Sequence, residues 1–160
     1  MNEWYTTPVG YLKSAFDDQE RLTSLKFYSE RVDTANVETD DVLARELKEY
    51  FSGTLRTFSV RLAPFETLVN GLFQQKVLSM LHTVPYGETL SYSYLAEKAG
   101  NKKAVRAAAN TVAHNPIVIL LACHRVIYAD GRLGNYALNS LGESGEGIKK
   151  KLIEIERGDQ

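Results

Sequence analysis

A single cysteine, Cys123, stands in 160 residues, so the chain cannot close an internal disulfide. Histidine is scarce too. His82, His114 and His124 are scattered, and with one thiol they do not make a structural zinc site. Long apolar runs are missing: the most sustained, Ile117–Cys123, is far too short to cross a bilayer. Met1–Gly10 lacks a basic stretch followed by an apolar one, so no signal peptide is expected. These gaps point to a reduced, cytoplasm-like compartment. Net charge is small, −1 at pH 7, which excludes a generally basic nucleic-acid-binding coat. No internal repeat or low-complexity tract interrupts the chain. Its length suffices for one sizeable core or two small ones sharing an interface.

The charge that is present is unevenly spread. Tyr92–Gly134 holds six Lys or Arg against two acids, a net of +4. Residues 1–70 hold eight against twelve, a net of −4. A local positive footprint on one face is therefore open, although charge alone favours an ordinary solvated surface.

Alternation and turn residues predict strands over Glu3–Thr7, Tyr11–Phe16 and Arg21–Tyr28, broken at Pro8-Val9-Gly10 and Asp17-Asp18-Gln19. A helix is expected next, capped by Thr39 or Asp40, with Val42, Leu43, Leu47, Tyr50 and Phe51 as its apolar stripe and Gly53 at its end. Arg56–Leu62 reads as a further strand and Ala63–Asn70 as a linker. The second half reads as mostly helical. Leu72–Val84 is a helix stopped by Pro85-Tyr86-Gly87, and Ser91–Ala99 a short helix capped by Ser91. Lys102–Ala113 is alanine-rich and ends before Asn115-Pro116. Two short helices joined by a turn containing Gly100-Asn101 form a helix-turn-helix candidate. Ile117–Leu121 reads as a buried strand-like segment, Asp130-Gly131 as a turn, and Ile148–Ile155 as a last helix.

Chemistry concentrates at Ala122-Cys123-His124-Arg125-Val126. A thiol attacks well only as thiolate, and a neighbouring cation or histidine raises the thiolate fraction. The plainer alternative is a buried cysteine acting as a small hydrophobe. Neighbours in an extended chain point to opposite faces, so adjacency of Cys123 and His124 does not establish a hydrogen bond. The helix Lys102–Asn110 carries small side chains that permit close approach to another surface. Only Arg106 and a few neighbours are long enough to reach into DNA, which suits a minor groove or plain core packing better than base reading in the major groove.

The ordered set of motifs resembles the O6-alkylguanine-DNA alkyltransferases, also called methylated-DNA–protein-cysteine methyltransferases. Phe73-Gln74, Pro85-Tyr86-Gly87-Glu88-Thr89, Ser91-Tyr92, Leu95-Ala96 and Ala99-Gly100-Asn101 come in the family's order. Ala104, Arg106-Ala107 and Asn115-Pro116 follow. Cys123-His124-Arg125-Val126-Ile127 is the most specific match, with Gly131, Gly134 and Tyr136 beyond it. The N-terminal likeness is thinner, at Thr7-Pro8-Val9-Gly10 and Tyr50-Phe51-Ser52-Gly53.

The resemblance implies an α/β (α+β) fold. A small strand-rich N-terminal domain with one helix, residues 1–68, would be ribonuclease H-like. A mostly helical domain, residues 69–160, would carry the helix-turn-helix. It implies single-turnover transfer of an alkyl group from guanine O6 in duplex DNA to Cys123. His124 would activate the thiol through a water and Glu156 would orient His124. Arg106 would fill the gap left by the flipped base, and Tyr92 would crowd the 3′ phosphate and donate toward the base. Ala104, Ala107, Asn115 and Arg125 join Arg106 and Tyr92 as expected DNA contacts. Tyr136, Val126, Asn115 and Ala137 would line the base pocket. No metal or other cofactor is implied. The expected partner is double-stranded DNA, with no membrane, bound by a monomer for which cooperative binding is left open.

Three departures from the family pattern concern the pocket. Ala122 replaces the usual proline, Leu138-Asn139 replaces a glycine pair, and about half a dozen extra residues around Gly142–Gly147 lengthen the active-site loop. Three rival readings remain: a lesion-binding relative without catalysis, a helix-turn-helix regulator, and a Cys-His hydrolase. The first normally lacks the acceptor cysteine, the second needs base-reading side chains on 102–113, and the third needs an oxyanion site.

Overall fold

The computed structural model describes residues 2–31, 39–137, 141 and 145–158. Strands β1 (Asn2–Thr7), β2 (Gly10–Phe16) and β3 (Leu22–Tyr28) form an antiparallel sheet in that order. A bulge at Ala15/Phe16 shifts the β2–β3 register, and Leu22, Leu25 and Phe27 are all buried. Helix α1 (Val42–Phe51) follows. Its N-cap is Asp41, not Thr39 or Asp40. Asp41 accepts the Ala44 amide at 2.8 Å, and its other carboxylate oxygen accepts the Tyr5 hydroxyl at 2.9 Å. One side chain therefore caps α1 and ties it to β1. The buried stripe is Leu43, Ala44, Leu47 and Tyr50, while Val42 is half exposed.

The strand expected over Arg56–Leu62 does not form. Leu22 of β3 makes one bridge to Leu62, and Leu25 makes another to Ile117. The outer edge of β3 is thus shared between two segments, and neither can extend its pairing. The expected linker 63–70 contains a one-turn helix, α2 (Phe65–Leu68), which begins after Pro64.

Helix α3 (Leu72–Thr83) buries Val77, Leu78 and Leu81, but Leu72 projects into solvent. Strand β4 (Leu90–Ser91) pairs in parallel with β5 (Val126–Ile127). Ser91 also caps α4 (Tyr92–Lys98), accepting the Tyr94 amide at 3.0 Å. After the turn at Gly100-Asn101 comes α5 (Val105–Ala113), which starts three residues later than the alanine-rich pattern suggested. Asn101 is the reason: its carboxamide oxygen and backbone carbonyl take the Lys103 and Ala104 amides, holding 102–104 as a turn.

Residues 117–123 are not a strand. Leu120 N–H bonds Val118 O across Ile119, whose φ is +72°, and Cys123 N–H bonds Leu121 O across Ala122, at φ −77° and ψ 59°. These are two successive γ-turns, and a β-branched residue at positive φ is strained by about 1–3 kcal/mol. Asn115 holds the compressed segment together. Its amide donates to Leu121 O at 2.7 Å, and its oxygen accepts Ile117 N at 3.0 Å. Backbone bonds from Leu25 N to Pro116 O and from Val118 N to Leu25 O dock the segment on β3.

The last helix, α6 (Gly145–Arg157), is longer than the predicted 148–155. Gly145–Gly147, expected in a lengthened loop, form its first turn. Leu138-Asn139 and residues 142–144 lie outside the described residues. The core is continuous from β2, β3 and α1 through α3, α4 and α5 to α6. No helix among the described residues is long and apolar enough to cross a membrane.

Asn115→Ala leaves two buried backbone groups, Ile117 N–H and Leu121 C=O, without these partners. We expect a loss of about 3 kcal/mol in urea unfolding, with an unchanged m-value.

Candidate active site

Cys123 opens a 3-10 turn, Cys123–Arg125, between the compressed segment and β5. Ala122, where the resemblance leads one to expect proline, has a φ that proline also adopts. Its N–H, which proline would lack, bonds Leu81 O at 3.1 Å and pins the turn to α3. The alanine therefore contributes an anchor to the segment that leads into the nucleophile.

His124 and Arg125 both turn toward Glu156 of α6. Glu156 Oε2 lies 2.5 Å from His124 Nε2 and 3.0 Å from Arg125 Nη2. Glu156 Oε1 accepts Arg125 Nε at 2.8 Å and the Gly87 amide at 3.1 Å. Tyr50 of α1 adds a fifth donor, its hydroxyl 2.5 Å from Oε2. Burial alone would raise the Glu156 carboxyl, but the bonds from His124 and Arg125 outweigh it and hold it far below the usual range. Burial pushes the His124 imidazole down, against the pull of Glu156. A neutral imidazole facing a carboxylate carries its proton on Nε2, which leaves Nδ1 as the free base. His124 Nδ1 is buried and has no hydrogen-bond partner among the described residues.

The sulfur is fully buried. Burial raises its pKa, while Asn115, Lys149 and Tyr136 pull it back down. The wall around it is polar. The Tyr136 hydroxyl faces the thiol but meets no partner in good hydrogen-bond geometry. Lys149 of α6 is entirely buried and donates to the Tyr92 hydroxyl at 3.0 Å. Burial brings the Lys149 ammonium down to about 8, opposed by the nearby Cys123.

Tyr92, the first residue of α4, is buried and lies within electrostatic reach of Cys123. On its outer side a cleft of about 380 Å3 is lined by Tyr92, Arg106, Ala109, Asn110, Tyr128 and Asn135. The Tyr92 and Tyr128 rings pack at a 43° tilt with centroids 4.5 Å apart, and Arg132 covers Tyr128 at 4.6 Å. Gly134, at φ +81°, makes this fit possible. A Cβ there would stand 2.5 Å from the Tyr92 oxygen and 3.1 Å from the Tyr128 ring.

The structure brings Cys123, His124, Glu156, Tyr92, Asn115, Tyr136, Val126 and Ala137 into or beside one buried cluster. It keeps Arg106 and Ala107 exposed on α5, with Ala104 half-buried at its start. Arg125 is a correction. It was expected to contact DNA, but its guanidinium is buried, bonded twice to Glu156 and once, at 2.6 Å, to Val84 O. The other five cations of Tyr92–Gly134, Lys98, Lys102, Lys103, Arg106 and Arg132, are exposed. Sequence reasoning missed Lys149, Tyr50 and Tyr128. Lys149 alone carried a signal, since it lies two helical turns before Glu156 and so on the same face of α6. Among the described residues no group of three or more His, Cys, Asp or Glu could hold a metal ion.

Comparison with known proteins places this geometry. The family model for the DNA-binding domain of 6-O-methylguanine DNA methyltransferase matches residues 72–158. The methylated-DNA–protein-cysteine methyltransferase of Methanosarcina acetivorans is 37% identical over 159 residues, covering 95% of each chain. The constitutive Bacillus subtilis protein of the same name is 38% identical, covering 98% of this chain and 96% of its own. The crystal structure of Mycobacterium tuberculosis O6-methylguanine methyltransferase superposes with a TM-score of 0.78 at 34% identity, over 100% of this chain and 95% of that one. The Mycobacterium tuberculosis protein solved in complex with DNA gives 0.80, over 99% and 93%. With a buried thiol directly before a buried imidazole–carboxylate pair and relatives aligned end to end, the chain belongs to the methylated-DNA–protein-cysteine methyltransferase family.

Proposed function

We propose that this protein repairs DNA by moving the alkyl group of O6-alkylguanine in a duplex onto Cys123, once per molecule. The observation that carries this is a buried Cys123 followed directly by His124, whose Nδ1 has no partner among the described residues while its Nε2 meets a five-donor Glu156 carboxylate. Such an array removes a thiol proton without letting the base drift or the carboxylate protonate. The thiol proton passes through one water to His124 Nδ1. The sulfur then attacks the alkyl carbon, a C–S bond forms, and the C–O6 bond breaks. The electron pair stays on the guanine, which regains a proton from the Tyr92 and Lys149 side or from solvent. The thioether is not reversed by water, so the protein is consumed. A lesion-binding relative without catalysis has no use for this array.

On this reading, the thiol is closed off until a base arrives. Tyr92 stands between the sulfur and the outer cleft, so admission of an extruded base requires Tyr92 to swing aside and release Lys149. The freed ammonium then faces the forming thiolate, as the cation that acts on that sulfur among the described residues. Helices α4 and α5 act as a helix-turn-helix in the minor groove, where Ala104 and Ala107 permit close approach and Arg106 enters the stack. Asn115, Val126, Tyr136 and Ala137 line the base pocket. Residues 1–68 form the ribonuclease H-like unit and 69–160 the alkyltransferase unit, acting as a monomer in the cytoplasm at the nucleoid.

Incubation with a duplex containing O6-methylguanine should add one methyl to the peptide holding Cys123, read by mass spectrometry. A mark elsewhere defeats the assignment. Cys123→Ser should abolish transfer and keep DNA binding. Arg106→Ala should slow transfer from duplex DNA by about tenfold or more, the scale of an unstacking cost of a few kcal/mol, and barely alter transfer from the free base. Equal slowing of both would remove the finger role.

Lys149→Met separates stability from chemistry. A buried lysine held at about 8 opposes folding at neutral pH. Between about pH 8 and its unfolded value the unfolded chain binds more protons, so native stability rises with pH across that window. We expect the Met variant to gain about 2 kcal/mol at pH 7, to lose that rise, and to transfer alkyl groups more slowly. Denaturant melts across pH beside a transfer assay check all three.

A further inference from the structure

Tyr50 lies 106 positions before Glu156, in the other half of the chain, yet its hydroxyl ends on the catalytic carboxylate. We infer that Tyr50 is a positioning residue for alkyl transfer: its hydroxyl, delivered by α1, holds the Glu156 oxygen that orients His124. The inference rests on the alkyl-transfer reading and gives the N-terminal half a part in the chemistry beyond covering the core.

Three observations carry it. The hydroxyl donates at 2.5 Å to Oε2, the same oxygen that meets His124 Nε2 at 2.5 Å. The ring is fully buried and clamped by Phe51, Phe58 and Tyr86, with centroids at 5.1, 5.7 and 6.1 Å. Its place on α1 is set by the buried stripe it shares with Leu43 and Leu47, so the donor cannot move without unpacking the helix. Burial and the adjoining carboxylate keep the phenol well above its ordinary pKa, so it acts only as a donor.

A donor on Oε2 draws charge from the carboxylate and weakens its hold on a protonated His124. The other charged and titratable groups around this pair are Arg125 on the 3-10 turn, Lys149 on α6, Tyr86 before β4 with Arg56 over its ring, and Cys123 and Tyr136 inside. All of them persist when Tyr50 loses its hydroxyl. Tyr50→Phe keeps the ring contacts and removes one donor. The carboxylate then stabilises the imidazolium more, and His124 becomes a free base only at higher pH.

The test is the rate of methyl transfer from an O6-methylguanine duplex, measured from about pH 4 to pH 8, a span that reaches below the ordinary imidazole range because burial pushes His124 down. For Tyr50→Phe the acid limb should move up by about one unit, a tenfold loss at the acid end that closes toward the alkaline plateau. Phe58→Leu, which loosens the packing on the same ring, should lower the Tm and leave the limb in place. Site-specific 3-fluorotyrosine at position 50, a stronger donor of the same shape, should move the limb down, and it decides the matter should the Phe variant fail to fold. A Phe variant whose profile overlays the native one, an inert fluorotyrosine, or a limb that moves equally in Phe58→Leu overturns the inference. Native protein that gains no methyl on Cys123 overturns the alkyl-transfer reading itself.

Discussion

One carboxylate with five donors organises this molecule. Glu156 takes hydrogen bonds from α1, from the turn before β4 and from both residues that follow the nucleophile. A buried carboxylate without partners would take up a proton. Here His124 and Arg125 both hold the carboxylate, Arg125 in forked geometry, while burial pushes the His124 imidazole down. The bond to His124 Nε2 leaves Nδ1 without a partner among the described residues. That arrangement explains why an arginine within the signature motif points away from the DNA side.

Around the sulfur the balance runs the other way. Burial keeps Cys123 a thiol, and the same burial weakens Lys149 as a cation. The sulfur is fully buried, with Asn115, Tyr136 and Lys149 as the polar groups that act on it. Strain sits next to it, in two γ-turns and a β-branched residue at positive φ, and Asn115 with the bonds from β3 keeps that strain in place. Reactivity and foldability meet at the same few residues, a common pattern where sites need exact geometry that local preferences do not favour.

The sequence was most readable where pattern and local chemistry agree. Alternation located the three strands to within a residue, Ser91 was recognisable as a cap, and the motif order led to the family. It was least readable where tertiary competition decides. Arg56–Leu62 has strand-like residues, yet β3 offers it one bridge because Ile117 takes the next position. Ile117–Leu121 looks like a buried strand because apolar runs do not report φ, and Asn115 together with the bonds to Leu25 holds it in turns. Arg125 looks like a surface cation because its partner lies 31 residues away. Tyr50 carried no local sign of its role, since a helix stripe shows only that a residue is buried, not what its hydroxyl meets.

Single use relaxes a constraint that governs ordinary enzymes. A turnover enzyme must release product, so its nucleophile needs an open path in both directions. Here nothing leaves through the sulfur side, because the alkyl group stays. The sulfur can then be fully buried at rest, closed off from solvent and with its pKa raised by that burial, provided that arrival of the base both opens the site and supplies the reactive carbon. Exclusion of water and of stray oxidants follows from the same seal, which protects a thiol that can be used only once. The closeness of Gly134 to the Tyr92 and Tyr128 rings shows how little slack their packing has.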